Sequence, residues 1–368
     1  MNKVGILSIH YGTWMPGPSL QAASLSYAIR QLGYEVEHID FIPKRNKPVS
    51  KSVLKVQFRN RFAKNPEVFE DFRKEWVPRS SHVYRTLEDL EQGEFNYDIV
   101  IVGSDSVWAP SATGEFLPAY FLHFLNDKKV RKIAYSASFG QTDWDVLYPS
   151  PELEKMLKKY LKNFSAIGLR ESYGVLPLRN IVNVAVENVL EPTLLLDKQY
   201  FQQMLPVNPI SAAPEIAYHK ILKDDTFREK LNIIEKSYLM SSENIYNYER
   251  LNSDNEKQYF YNTMDEWLFK IANCKLVLTD SFHCLCMAIH FEKEFYFLPA
   301  EEEIKLLNRP SRDILSKLNL MNRVCFDTKD VQMKIRNNSK IVYEIVNSRL
   351  AKEKLFSHNF LKMILKDE

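Results

Sequence analysis

The stretch Cys274–Leu298, CKLVLTDSFHCLCMAIHFEKEFYFL, decides the fold. Its apolar run Lys275–Leu278 reads as a buried strand, Thr279–Asp280 as the end of that strand, and Ser281–Phe291 as a buried helix. Asp280 is the expected N-cap, since a carboxylate there can accept the free N–H groups of the first turn. Ser281 and His283 then stand at a helix N-terminus, where unpaired N–H groups and the macrodipole favour a bound anion. A strand end leading into a helix start is where open α/β sheets bind ligands. A histidine at that place can hydrogen-bond an anion or move a proton.

The same grammar recurs outward from this stretch. Short apolar runs alternate with helical patterns, which predicts parallel sheets covered by helices. Strands are expected at Val4–Ile9, Glu35–Phe41, Asp98–Val102, Lys132–Ser136, Ala166–Leu169 and Asn183–Val186. Helices are expected at Leu20–Leu32, Glu67–Trp76, Ser81–Glu91, Pro151–Asn163 and Pro310–Leu320. A break in periodicity with three prolines in Pro206–Pro214 places a linker at 190–212. The expected organisation is an α/β lobe at 1–189, a second α/β lobe at 213–338 and a helical tail at 339–368. The polar groups His10, Gly103–Asp105, Ser136–Gly140, Arg170–Glu171 and Thr279–His283 all follow strand runs, so parallel sheets would gather them along one edge.

Bulk properties exclude several classes. The 368 residues suit roughly two domains. A net charge of +2 implies no global attraction to nucleic acid. No apolar run of about 18 residues predicts a membrane span, and MNKVGILSIHYG reads as a first strand rather than a signal peptide. Cys274, Cys284, Cys286 and Cys325 form no CxxC pair, and a Cys-x-Cys on a helix points its thiols apart, so no metal site is expected. They are expected as small buried groups in a reducing cytoplasm.

The pieces VGILSIHYG, GPSLQAASL, YDIVIVGSDSVW, IAYSASFG, IGLRES, EPTLLLD, VLTDSFH and NRPSRDILSKLNLMNR together resemble the polysaccharide pyruvyl transferases. They appear in that family's order over most of the chain, most thinly at about 43–66 and 197–262. The family usually has Gln where Ser106 stands, Asn where Ala109 stands and Gly where Cys284 stands; some members have Arg at the place of Ser281. The resemblance implies two Rossmann-like lobes as in GT-B glycosyltransferases, with the active site in the cleft between them. It implies phosphoenolpyruvate as co-substrate, a sugar with two suitable hydroxyls as acceptor, and no cofactor or metal. It also implies that the first lobe takes the acceptor and the second the donor.

That chemistry assigns expected roles. His283 contacts phosphate or acts as general acid. Asp280 orients His283, accepts a sugar proton or only caps its helix. Arg170 clamps the donor's carboxylate or phosphate with its planar fork, or pairs with Glu171 at the surface. Ser281, Arg312 and Arg309 complete the donor side, or the two arginines lie on a solvated face of the late helix. Asp105 is the acceptor-side base, with Gly103, Ser104, Trp108 and His10 near the acceptor; alternatively Ser104 and Asp105 cap the next helix and His10 is a satisfied polar residue. Trp108 stacks on a sugar or is a buried structural ring. His290 is read as packing. Pro43–Pro66 carries eight basic residues and no acidic one, with Leu54, Phe58 and Phe62 four apart. It reads as a basic amphipathic helix that touches an anionic membrane or a lipid-linked acceptor, or as a solvated surface helix. The expected place is the cytoplasm, peripherally at the inner membrane face. Two rivals stand beside this reading: a GT-B glycosyltransferase using a nucleotide sugar, and a non-catalytic glycan-binding relative.

Overall fold

The computed structural model of the chain describes residues 3–11, 15–44, 64–65, 67–125, 129–140, 149–221, 225–253, 255–299 and 309–366, the side chains of Arg250 and Arg309 excepted. Most of the basic stretch 43–66 therefore lies outside the described residues.

Seven parallel strands form the first sheet: β1 (Lys3–Leu7), β2 (Glu35–Phe41), β3 (Arg79–Tyr84), β4 (Ile99–Val102), β5 (Arg131–Ala137), β6 (Phe164–Leu169) and β7 (Ala185–Asn188). Their order is β3-β2-β1-β4-β5-β6-β7. The strand order reverses between β1 and β4, which opens a crevice outside their carboxyl ends. A second sheet holds β8 (Ile216–His219), β9 (Ser242–Asn244), β12 (Leu276–Thr279) and β13 (Glu294–Phe297), also parallel, in the order β13-β12-β8-β9. Its reversal lies between β8 and β12. An antiparallel hairpin, β10 (Asn247–Leu251) with β11 (Lys257–Tyr261), stands apart from both sheets. Strands β4 and β12 are buried at every position, as expected where helices cover both faces.

One expected element changes type. Ser81–Glu91 is not a helix: Arg79–Tyr84 forms edge strand β3 on β2, and only Leu87–Gln92 is helical. An edge strand keeps polar residues on its open side, so its pattern imitated a helix face. The helix start is the capping box at Thr86 and Asp89, which satisfies two backbone N–H groups reciprocally.

The lobes share a core. The stretch after β7 contains the helix Pro192–Leu195, whose Leu194 and Leu195 are buried with residues of the helices Pro16–Gln31 and Phe282–His290. The C-terminal helix Tyr343–Leu365 braces both lobes. Near its start, the Tyr343 hydroxyl donates to the Lys293 carbonyl at 2.6 Å. Near its end, the Arg131 guanidinium and the Tyr34 hydroxyl donate to the Ile364 and Leu365 carbonyls at 2.8 and 2.7 Å. These contacts satisfy terminal carbonyls that the helix cannot bond itself. No described helix is long and apolar enough to cross a membrane.

Candidate active site

The strand-turn-helix at 276–290 forms as its pattern dictates, but its cap differs. Ser281 is the N-cap, its Oγ accepting from the Cys284 N–H at 3.4 Å. Asp280 is not available for that role. Its carboxylate accepts from Lys220 Nζ and from the Ile221 N–H, both at 2.7 Å. Lys220 and Asp280 are each 2% exposed, so this is a buried ion pair across the reversal point of the second sheet. Asp280 is therefore a structural partner of β8, and the carboxylate facing His283 comes from elsewhere.

That carboxylate is Glu191. Its Oε1 lies 3.6 Å from His283 Nε2, while its Oε2 accepts from the Thr193 N–H at 2.9 Å and from the Thr193 hydroxyl. The other edge of the His283 ring rests on Gly17, where a Cβ would stand 2.2 Å from Nδ1. Glycine is required there because any side chain would occupy the ring's place. The helix Pro16–Gln31 has no side-chain cap and no acidic residue in its first turn. Two helix N-termini thus converge on His283, and both favour negative charge.

The first lobe delivers Arg170 to the same place. Strand β6 ends at Leu169, and the guanidinium that follows lies 5.2 Å from the centre of the Phe282 ring. Arg170 Nη1 donates to Asp105 Oδ1 at 2.9 Å, Nη2 to Ser106 Oγ at 3.4 Å, and Nε lies 3.6 Å from Glu171 Oε1. Arg170 is buried, so the alternative of a surface pair with Glu171 does not hold. Burial pushes the Asp105 carboxyl up, but Arg170 and then His283 outweigh it and hold it below its ordinary range. Glu171 goes the other way. Burial dominates, Arg170 and the Ser138 hydroxyl offset only part of it, and its carboxyl is pushed up to about 7. Arg170 Nε, Glu171 Oε2, Glu191 Oε1 and His283 Nε2 are buried without a hydrogen-bond partner among the described residues. Four orphaned polar atoms on neighbouring side chains mark a place built to meet a ligand, water or each other.

Several expected acceptor residues are instead structural. Trp108 is fully buried, donates to the Tyr120 carbonyl at 2.9 Å and stacks on Phe121, so it offers no face to a sugar. His10 is fully buried between Asp40 Oδ1 at 3.0 Å and the Ser8 carbonyl at 3.2 Å. Ser104 is buried on Gln21 Oε1 at 2.8 Å. Gly103 has φ +122°, and its missing Cβ makes room for the Tyr135 carbonyl rather than for a ligand. Arg312 is exposed on the helix Arg309–Lys317, and the Arg309 side chain lies outside the described residues. The residue of that helix that reaches across is Asp313, which accepts from the Ser172 N–H and from its hydroxyl. His290 Nε2 donates to the Thr193 carbonyl at 2.6 Å, and the ring packs in the core as expected. All four cysteines are buried free thiols. Among the described residues no group of three or more His, Cys, Asp or Glu side chains is placed to hold a metal ion.

Glu191, Lys220 and Glu171 are what sequence reasoning missed or underweighted. For Glu191 a signal existed: an acidic residue directly before the apolar run Pro192–Leu196, whose burial demands a partner for the carboxylate.

The fold is shared with UDP-N-acetylglucosamine 2-epimerases of the GT-B class. The enzyme from Rickettsia bellii has a TM-score of 0.51 at 10% identity, over 99% of each chain. The MnaA–UDP structure from S. aureus has a TM-score of 0.53 at 13% identity, over 99% of this chain and 97% of the other. No curated protein matches the chain in sequence. The family model described as polysaccharide pyruvyl transferase matches residues 17–301, a span that holds Gly17, Asp105, Arg170, Glu171, Glu191 and His283, and the chain belongs to that family.

Proposed function

We propose that this transferase moves a pyruvyl group from phosphoenolpyruvate to a sugar of a cell-surface polysaccharide or its precursor. The observation that carries the reading is the meeting of Arg170 from one lobe with His283 from the other, at two helix N-termini. The donor carries a carboxylate and a phosphate. Arginine's planar fork suits either group, and the helix ends favour the same charge.

In the proposed reaction a sugar hydroxyl adds to the enol carbon that bears oxygen, while a proton is delivered to the neighbouring methylene. The phosphate then leaves with the electron pair of its C–O bond, and the second hydroxyl adds to close the ketal. A base and an acid are needed near neutral pH. Asp105 stays ionised as a base should, and His283 supplies a proton or holds phosphate. Arg170 is paired with Asp105. When the guanidinium turns to the donor, Asp105 is released to accept the proton of the attacking hydroxyl. Donor binding thus precedes acceptor activation.

Calorimetric titration with phosphoenolpyruvate, beside a panel of nucleotide sugars, tests the reading. The expected result is binding of phosphoenolpyruvate that Arg170→Ala and His283→Ala each weaken tenfold or more. Binding of nucleotide sugars alone refutes it in favour of glycosyl transfer. Phosphoenolpyruvate binding without turnover on any glycan acceptor favours a non-catalytic relative.

A further inference from the structure

We propose that Glu191 is the positioning residue of His283. It fixes the neutral ring with its proton on Nε2, so that Nδ1 is the nitrogen that exchanges protons in the cleft. The carboxylate cannot drift, because the Thr193 N–H and hydroxyl both bond its Oε2. Its Oε1 is left buried, without a bond, 3.6 Å from the equally orphaned His283 Nε2. A shift of well under 1 Å brings that pair to hydrogen-bond distance. A buried carboxylate only accepts hydrogen bonds, so the nitrogen facing it must be the one that bears hydrogen. The ring cannot turn over freely either, since its Nδ1 edge fills the space where a side chain at Gly17 would stand.

The consequence deepens the proposed reaction and rests on it. With Nε2–H held by Glu191, Nδ1 presents a lone pair beside the start of the helix Pro16–Gln31. When Nδ1 takes up a proton, the Glu191 carboxylate stabilises the imidazolium, and Nδ1–H becomes a donor to the leaving phosphate. A carboxylate behind an imidazole performs this orienting task in hydrolase triads without taking the proton itself.

The geometry also dictates what Glu191→Gln does. The Thr193 N–H needs an acceptor, so the amide oxygen must sit where Oε2 was. The amide NH2 then falls where Oε1 was and faces His283 Nε2, which has to become the acceptor. The ring is forced into the opposite tautomer, with its proton on Nδ1.

Nitrogen-15 NMR of the histidine rings in the full-length chain reads this directly, without donor or acceptor. The His283 signals, out of eight histidines, are those missing in His283→Gln. The expected result is a bare Nδ1 and protonated Nε2 in the wild type at a pH where the ring is neutral, and the reverse in Glu191→Gln. Glu191→Asp, one methylene shorter, is expected to give a mixture. A wild-type ring protonated on Nδ1 overturns the proposal, even if no Glu191 variant folds. The same tautomer in wild type and Glu191→Gln overturns it too. Because no phosphoenolpyruvate enters the experiment, a failure here is separate from a failure of the donor assignment.

Discussion

Glu171→Gln should gain stability relative to the wild type as pH rises. Glu171 is 1% exposed, and its carboxyl is pushed from an ordinary 4.5 up to about 7, burial being the largest cause. The native state therefore holds this proton more tightly than the unfolded chain. Stability from the group is complete below pH 4.5 and is lost as pH rises through about 7. By linkage, the raised carboxyl costs about 3 kcal/mol of stability at pH 8 and about 1 kcal/mol at pH 5, relative to acid pH. The amide mimics the neutral acid: its oxygen keeps the Ser138 hydrogen bond, while its NH2 takes the place of the orphaned Oε2. Leaving that NH2 unpaired costs a constant amount at every pH. The diagnostic quantity is thus the change in the stability difference between pH 5 and pH 8, about 2 kcal/mol in favour of the variant at the higher pH. Carboxylates held low, such as Asp105, contribute with the opposite sign, but they are common to both proteins and cancel. Urea titrations of both proteins at the two pH values, followed by tryptophan fluorescence, measure it. Parallel pH dependences in the two proteins would show that Glu171 is ionised in the fold at neutral pH, and the reasoning would fail.

Other outcomes follow from the same geometry. Lys220→Met or Asp280→Asn alone should cost about 3–5 kcal/mol by leaving a buried charge unpaired. The double change Lys220→Met with Asp280→Asn should recover most of that in thermal unfolding, and simple addition of the two losses would refute a buried pair. Trp108→Phe should lose about 1 kcal/mol with the Tyr120 hydrogen bond and leave the acceptor KM unchanged; a raised KM with unchanged stability would return Trp108 to the sugar site. Gly17→Ala should weaken phosphoenolpyruvate binding through displacement of His283 and cost about 1–3 kcal/mol of stability; unaltered binding in calorimetry would mean the ring has room to move.

The strand-turn-helix at 276–290, the strand ends that carry Asp105 and Arg170, and the two-lobed plan were all legible in the chain. They rest on local facts: apolar runs of strand length, helical spacing, and polar residues where a run stops. Local signals also placed His283 at a helix N-terminus and Arg170 at a strand end, where the structure has them. They failed wherever a residue's partner is remote. Asp280 satisfied every rule for an N-cap, yet a lysine 60 positions earlier takes its carboxylate. His10 and Trp108 stand at strand ends as ligand contacts would, and the fold buries both on partners that only β2 and the turns after β4 bring near.

What the sequence by itself determined is which segments become strands and helices and which polar groups stand at their ends, because periodicity and capping act within a few residues. Only the tertiary structure decided which of those groups meet. The packing of Pro192–Leu195 between the lobes sets Glu191 behind His283, and the end of β6 lays Arg170 over Phe282. Those pairings come from burial of apolar surface between distant segments, and no local pattern encodes them.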